Sequence, residues 1–283
     1  MSARIDLHTH SNESDGTDTP LELLNKVAEA EIDRFALTDH DSIAGWQQIK
    51  DLVPSGIELV IGAEVSCQTV DALSVHMLGF LFDPENKALI DSMNETRGNR
   101  ITRMERIVGR LQEAGINISV EDVYAEVSEG ATIGRPHLAD AMIRKGIVSE
   151  RGEAFERFLH NRSKFYIPDA SPTPEEAIRL IKEAGGVAVI AHPFASLRGR
   201  IISSEYLESL IDAGLDGIEI FHRDHSEGER DQLFALVRRY ALLVTGGSDY
   251  HGKRKVNRLG ENLTELSQWE KISERATGYT KGA

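Results

Sequence analysis

Residues 3–10, ARIDLHTH, run from an apolar extended stretch straight into two histidines spaced two apart. In a strand that spacing puts both side chains on one face, where they can grip one ion. The same event recurs along the chain. FALTDHD (35–41) ends on Asp39 and His40, VIGAEV (60–65) on Glu64, and LSVHMLGF (73–80) carries His76. VAVIAHP (187–193) delivers His192, GIEIFHRDH (217–225) delivers His222, and LLVTGGSDYH (242–251) delivers Asp249 and His251. Asp15 follows the first histidine pair. Every β-branched run therefore brings a metal-capable side chain at or near its C-terminal end.

These runs predict strands at about 3–7, 33–38, 57–63, 73–80, 187–191, 216–221 and 241–245. Most are continuously apolar, the pattern of strands buried on both faces of a parallel sheet. Between them lie amphipathic helices at 20–30, 174–184, 203–213 and 226–240. Thr19–Pro20 and Thr173–Pro174 place a capping hydroxyl before a proline at the first helical position. Strand–helix alternation of this kind predicts an α/β fold with right-handed crossovers. In such a barrel the C-terminal strand ends converge on one mouth, where active sites lie.

The middle of the chain differs. Residues 86–180 show helical periodicity and no strand pattern, so they read as a helical insertion (cap) between barrel segments 1–85 and 181–283. Helices are expected at 86–114, 120–128, 136–145 and 149–160, and the tail past about 270 reads as frayed. His137 and His160 fall inside this insertion, away from the strand ends. A row of arginines (Arg97, Arg100, Arg103, Arg106, Arg110) repeats every three to four residues. It is either a track for a phosphodiester backbone or a solvated helix face interleaved with Glu95, Glu105 and Glu113.

Composition narrows the class. The chain has 283 residues, 40% hydrophobic, with a formal charge of −14, so bulk charge does not hold it to a polyanion. One cysteine, Cys67, forms no internal disulfide and suits a reducing compartment. The opening MSARIDLHTH is no signal peptide and no long apolar run exists. A cytoplasmic protein with no membrane association is expected, and no protein partner is inferable. Imidazole and carboxylate together suit Mn, Fe or Zn rather than an all-oxygen cation. The ligand set exceeds what one ion needs, so two or three divalent ions sharing a carboxylate are expected.

Taken together, DLHTHSNESDG (6–16), LTDHD (37–41), GAEVS (62–66), SVHMLGF (74–80), AHP (191–193) and GGSDYHG (246–252) resemble the PHP family (polymerase and histidinol phosphatase). The resemblance covers about 1–83 and 187–283. It implies a distorted, TIM-like seven-stranded (β/α)7 barrel and a metal-dependent phosphoesterase. GRPH (134–137) and FHRDH (221–225) make it similar to the branch of nucleotide phosphatases and 5′→3′ exoribonucleases. Carried over by position, a first ion takes His8, His10, Glu64 and Asp249; a second shares Glu64 and adds His76 and His192; a third takes Asp15, His40 and His251. The resemblance assigns Arg135 and His222 to phosphate contact and catalysis, and Arg198 is a further phosphate candidate. Asp39 and Asp41 are expected to orient imidazoles. His225 is a candidate proton donor to the leaving group and Phe194 a candidate base-stacking ring, each with core packing or a surface position as the alternative.

The expected reaction is hydrolysis of a 5′-phosphate-bearing nucleotide, of the AMP or nucleoside 3′,5′-bisphosphate type. A metal-bridged hydroxide attacks in line while three divalent ions and Arg135 take up charge. The alternatives are a 5′→3′ exoribonuclease acting on RNA ends, an amidohydrolase-type hydrolase, and a non-catalytic metal-bound module.

Overall fold

The computed structural model describes residues 3–127, 133–168, 170–196 and 200–279. Seven strands appear among them: β1 (Ile5–Thr9), β2 (Arg34–Leu37), β3 (Glu58–Gln68), β4 (Ser74–Phe80), β5 (Val187–Ile190), β6 (Gly217–Phe221) and β7 (Leu243–Gly246). They form one sheet in chain order, β1 to β7. The sheet curls until its edges meet: Asp249 N donates to His8 O at 2.8 Å, and Thr9 bridges Tyr250. Close approach at this seam requires Gly247, because a Cβ there would lie 2.2 Å from the Cβ of His8.

One strand departs from the parallel arrangement. β4 runs antiparallel to both β3 and β5. The connection from Gln68 to Ser74 is a tight turn, with Thr69 N donating to Leu73 O at 2.9 Å, too short for the crossover that parallel neighbours need. The reversal has a consequence for His76. It sits near the N-terminal end of β4, not the C-terminal end, and inversion alone returns it to the mouth that the other strands share.

Helices α1 (Pro20–Glu29), α2 (Ala44–Ile49), α7 (Pro174–Glu183), α8 (Ser204–Asp212), α9 (Glu227–Tyr240) and α10 (Leu266–Arg275) accompany the barrel. Thr19 and Thr173 cap α1 and α7 as their sequence pattern predicts, and Thr19 with Glu22 completes a capping box. α2 escapes the sequence reading because it is only six residues long. The tail is not frayed up to Tyr279. Thr277 N donates to Gly185 O and Tyr279 N to Leu81 O, and the Tyr279 ring stands edge-on to Trp46.

The helical segment comprises α3 (Lys87–Glu113), α4 (Val120–Tyr124), α5 (Arg135–Arg144), α6 (Arg151–Ala154) and a π turn over Phe155–Leu159. It packs a separate core that runs from Met104 to Ile167. Leu89 and Met93, on the first turns of α3, belong to the barrel core, as do Ile178 and Ile181 of α7. No described helix is long and apolar enough to cross a membrane.

Candidate metal centre

The strand ends bring nine side chains together. Ligand atoms of His8, His10, Glu64 and Asp249 lie within 4.8 Å of one another, as do those of His10, Asp15, His40 and His251, and those of His40, Glu64 and His76. Glu64 is the hub. Its Oε2 is 3.2 Å from His8 Nε2, 3.1 Å from His10 Nε2 and 3.3 Å from His40 Nδ1, while its Oε1 faces His76 Nδ1 at 2.8 Å and His192 Nε2 at 3.2 Å. His192 therefore lies beside the Glu64–His76 pair, where the family resemblance places it. Asp41, His192 and Asp249 all take positive φ (+53°, +30° and +51°), an uncommon backbone for such residues that recurs at functional sites.

The donors around this hub fit metal ions. His8 and His10 face each other Nε2 to Nε2 at 3.0 Å, a separation that suits one shared proton or one ion but not two protons. The proton on His8 Nδ1 is directed to Glu219 Oε1 at 2.8 Å, and that on His251 Nδ1 to Asp249 O at 2.8 Å, which turns both Nε2 lone pairs inward. Asp15 Oδ1 and His251 Nε2 are buried 3.0 Å apart with no hydrogen bond of proper geometry, the posture of ligands aimed at a third body. Mixed imidazole and carboxylate donors match Mn, Fe or Zn.

Electrostatics divide the set. Burial opposes a charge on His8, but Glu219, Glu64 and Asp249 outweigh it and raise its pKa well above the ordinary value. His10, likewise opposed by burial and favoured by Asp249 and Glu64, is pushed up to about 9. Burial wins at His251, pushed down to about 4, and at His40, also lowered. Glu64 stays ionised: burial pushes its pKa up, and His40, His8 and His76 pull it well below the carboxylate range.

Two cavities open onto this cluster. One, about 590 Å³, is lined by Asp15, His40, Arg100, Arg103, Arg135 and Lys255 among others. The second, about 700 Å³, reaches His192, Tyr166 and Ile202. Ser74, His76, Arg135 and Phe155 line both. Arg135 donates to Leu159 O and Asn161 Oδ1, each at 2.7 Å, with the Phe155 and Tyr166 rings 5.8 Å from its guanidinium carbon.

A PHP domain model matches residues 6–130. A phosphoribosyl 1,2-cyclic phosphate 1,2-diphosphodiesterase of Eggerthella lenta is 34% identical over 88% of this chain and 94% of its own length. The chain belongs to the PHP family. A 5′-3′ exoribonuclease of Haemophilus influenzae is 31% identical over 96% of this PHP chain and all of its own. A 3′,5′-nucleoside bisphosphate phosphatase of Chromobacterium violaceum is 31% identical, over 88% of this chain and 87% of its own. A solved structure from Bifidobacterium adolescentis, provisionally named a metal-dependent phosphoesterase, superposes with a TM-score of 0.90 at 39% identity, covering 98% of each chain. These names share one chemistry, and this PHP chain is a metal-dependent hydrolase of phosphate esters.

Around the PHP centre several expectations change. Asp39 does not hold an imidazole; it accepts Ser11 N, Ser11 Oγ and Ser14 Oγ at 2.6–2.8 Å and so fixes the β1 loop. Asp41 accepts Ser66 N at 2.8 Å and pairs with Arg100 at 3.2 Å. His225 is buried, donates from Nδ1 to Ile220 O and accepts Phe194 N on Nε2, so both nitrogens are engaged and neither serves a leaving group. Phe194 packs in the barrel core and lines neither cavity. His222 is buried with Nε2 3.4 Å from Asp249 Oδ2. Arg198 lies outside the described residues. The arginine row is partly spent on the protein itself: Arg103 donates to Ile167 O and Arg110 to Tyr166 O, each at 2.7 Å.

Sequence reading missed three contributors. Glu219 hides in the apolar run of β6; it is buried and binds His8 Nδ1 and His192 N together. Its signal was a lone acid among apolar neighbours. Lys255 donates to Asp249 Oδ2 at 2.8 Å. Asp6 accepts Ser248 N and Gly260 N at 2.9 Å each, and burial pushes its pKa up to about 6.

Proposed function

We propose that this chain hydrolyses the phosphate ester of a 5′-phosphate-bearing nucleotide, of the AMP or nucleoside 3′,5′-bisphosphate type. Three divalent ions (Mn, Fe or Zn) are held by His8, His10, Glu64 and Asp249, by Glu64, His76 and His192, and by Asp15, His40 and His251. When bound, the ions supply an activated water and charge to offset that on the phosphoryl oxygens. The chain's own residues do the rest. Arg135, standing where the two cavities meet beside His76, holds the phosphate through its guanidinium fork. His222, fixed by Asp224 N on its Nδ1 at 3.1 Å, presents Nε2 to Asp249 Oδ2 at 3.4 Å; buried and lining neither cavity, it acts on the phosphate through that carboxylate. Barrel segments 1–85 and 181–283 carry the ions, and the insertion at 86–180 caps the pocket; the separate Met104–Ile167 core supports a cap, while Leu89, Met93 and Ile178 pack with the barrel and draw its edges inside those bounds.

The observation that carries this reading is the concentration of Arg100, Arg103, Arg135 and Lys255 around one ligand cluster in a chain of charge −14. Arg100 and Lys255 pair with Asp41 and Asp249, while Arg103 and Arg135 bond neutral oxygens and keep their charge on that wall, which favours an anionic substrate. An exoribonuclease acting at 5′ ends is the second reading, favoured by the second cavity of about 700 Å³ beyond Arg135. The test is product analysis with Mn²⁺-loaded protein on AMP, adenosine 3′,5′-bisphosphate and a 5′-phosphorylated RNA oligomer, with Asp249→Ala as blank. Phosphate from the small nucleotides alone supports the phosphatase. Mononucleotides released stepwise from the oligomer replace it with the exoribonuclease, and silence on all three overturns the substrate class.

A further inference from the structure

Two arginines tie the helical segment to the loops that carry Asp15, His40 and His251. Arg254 follows His251 by three residues, and its side chain is only 14% exposed. Its Nη1 donates to the backbone carbonyl of Asp15 at 2.8 Å and approaches His137 Nε2, on α5, at 2.9 Å. Its Nη2 donates to Glu126 O at 3.2 Å and lies 3.4 Å from Asp140 Oδ2, a carboxylate that Arg151 also binds. One planar fork thus joins the β1 loop to three points of the helical segment. Arg100, on α3, pairs with Asp41, the residue after His40, and donates to Ser66 Oγ.

The three ligand groups differ in what holds them. His8, Glu64 and His76 lie on strands, while His10, His192 and Asp249 follow strand ends, so the sheet itself fixes them. Asp15 lies in a turn beyond β1, held by local bonds such as Gly16 N to Ser11 O at 2.9 Å and by the Arg254 contact to its own carbonyl. Its carboxylate position therefore depends on where Arg254 sits, and Arg254 sits where α5 and Glu126 hold it. His137 is buried and neutral, its pKa pushed down to about 4 by burial and by the neighbouring Arg254 charge, so it adds no second charge beside Arg254 at neutral pH.

We propose that Arg254 is a positioning residue that couples docking of the helical segment to ion binding by the Asp15–His40–His251 group, leaving the other two groups independent of it. The proposal rests on the reading of that group as an ion site. Coupling of this kind is reciprocal: docking strengthens ion binding by the same factor by which the ion strengthens docking.

The test uses the full chain. Mn²⁺ bound per chain is titrated, and hydrogen exchange of α5 is followed over the same titration. In the wild type the ion assigned to this group, identified by its loss in His40→Ala, slows α5 exchange. In Arg254→Met that ion binds about 10–100-fold more weakly, the scale of lost ligand support, and α5 exchange no longer responds to it. The other ions keep their affinities. Asp140→Asn, which loosens only the helical side, shifts the same ion in the same direction by a smaller factor. Equal weakening of all ions, or a lower melting temperature with unchanged affinity for this ion, assigns Arg254 a purely structural role and overturns the coupling. A wild type that binds only two ions, with His40→Ala removing neither, overturns the site reading and the proposal with it.

Discussion

Replacing Glu219 by glutamine tests how the centre is built. The carboxylate accepts two buried donors at once, His8 Nδ1–H on Oε1 at 2.8 Å and His192 N–H on Oε2 at 3.0 Å. An amide has one acceptor oxygen, and its other end is a donor. Either orientation therefore sets one N–H against another. If the amide nitrogen faces His8, the imidazole must move its proton to Nε2 and lose the lone pair that faces His10 and Glu64. If it faces His192, a buried backbone donor goes unpaired. An unsatisfied buried donor costs about 1–3 kcal/mol. A loss of roughly 10–100-fold in ion affinity is about 1.4–2.7 kcal/mol, the same scale. The assay is competition for Mn²⁺ against a chromophoric chelator, with the metal-free melting temperature measured alongside. Weakening is expected at the His8–His10–Glu64–Asp249 group. An ion affinity unchanged within twofold refutes the argument that Glu219 sets the tautomer of His8.

The remaining predictions concern protons, phosphate and packing. His10 is raised to about 9 in the metal-free protein, so a proton held by the His8–His10 pair at neutral pH must leave when an ion binds. Ion affinity there should climb about tenfold per pH unit per proton released and flatten above about pH 9; His251, lowered to about 4, adds no such dependence near pH 7. Calorimetry in buffers of different ionisation enthalpy checks the proton count, and zero release at pH 7 contradicts it. Arg135→Ala should lower kcat/KM about 10–100-fold by removing a charge-assisted contact, and weaken inhibition by inorganic phosphate in parallel. Unchanged phosphate inhibition removes Arg135 from the phosphate site. Gly247→Ala drives a methyl against His8 and should cost about 1–3 kcal/mol, seen in thermal denaturation, with loss of bound metal.

All seven strands were legible because each is an apolar run, six of them followed by a ligand-type residue and β4 carrying His76 within it, and an extended run buried on both faces has little else to encode. Strand direction was not legible in the same way. Nothing in LSVHMLGF states its polarity; only the brevity of the Gln68–Ser74 connection does, and that is a property of the neighbour. The nine candidate ligands converge because strand ends converge. Their supports were harder to see, since Glu219 and Asp6 sit inside strands whose period is dominated by apolar neighbours. The arginine row was ambiguous for a physical reason. Spacing places Arg103 and Arg110 on one face of α3, but whether that face meets water, nucleic acid or carbonyl oxygens depends on the 164–167 segment, far away in sequence.

The charge of the centre argues for an order of events. Without ions, Asp15, Glu64 and Asp249 place three carboxylates in one mouth, offset by a proton shared at His8 and His10. At an effective dielectric of 20, two like charges about 4 Å apart repel by about 4 kcal/mol, and a phosphate dianion meets more than one of them. Lys255 on Asp249 Oδ2 offsets one of these charges, and Arg135, bonded to the neutral Leu159 O and Asn161 Oδ1, stays cationic; but Glu219 beside His8 adds a fourth carboxylate, so the balance among these groups stays negative. Divalent ions bound in that mouth reverse the local sign. Phosphate should therefore bind the loaded protein and be excluded from the metal-free one, a prediction distinct from the loss of turnover. Equilibrium dialysis with radiolabelled phosphate, with and without Mn²⁺, measures it directly. Equal retention in both states would mean that the arginines alone make the anion site, and that the ions act only on the attacking water.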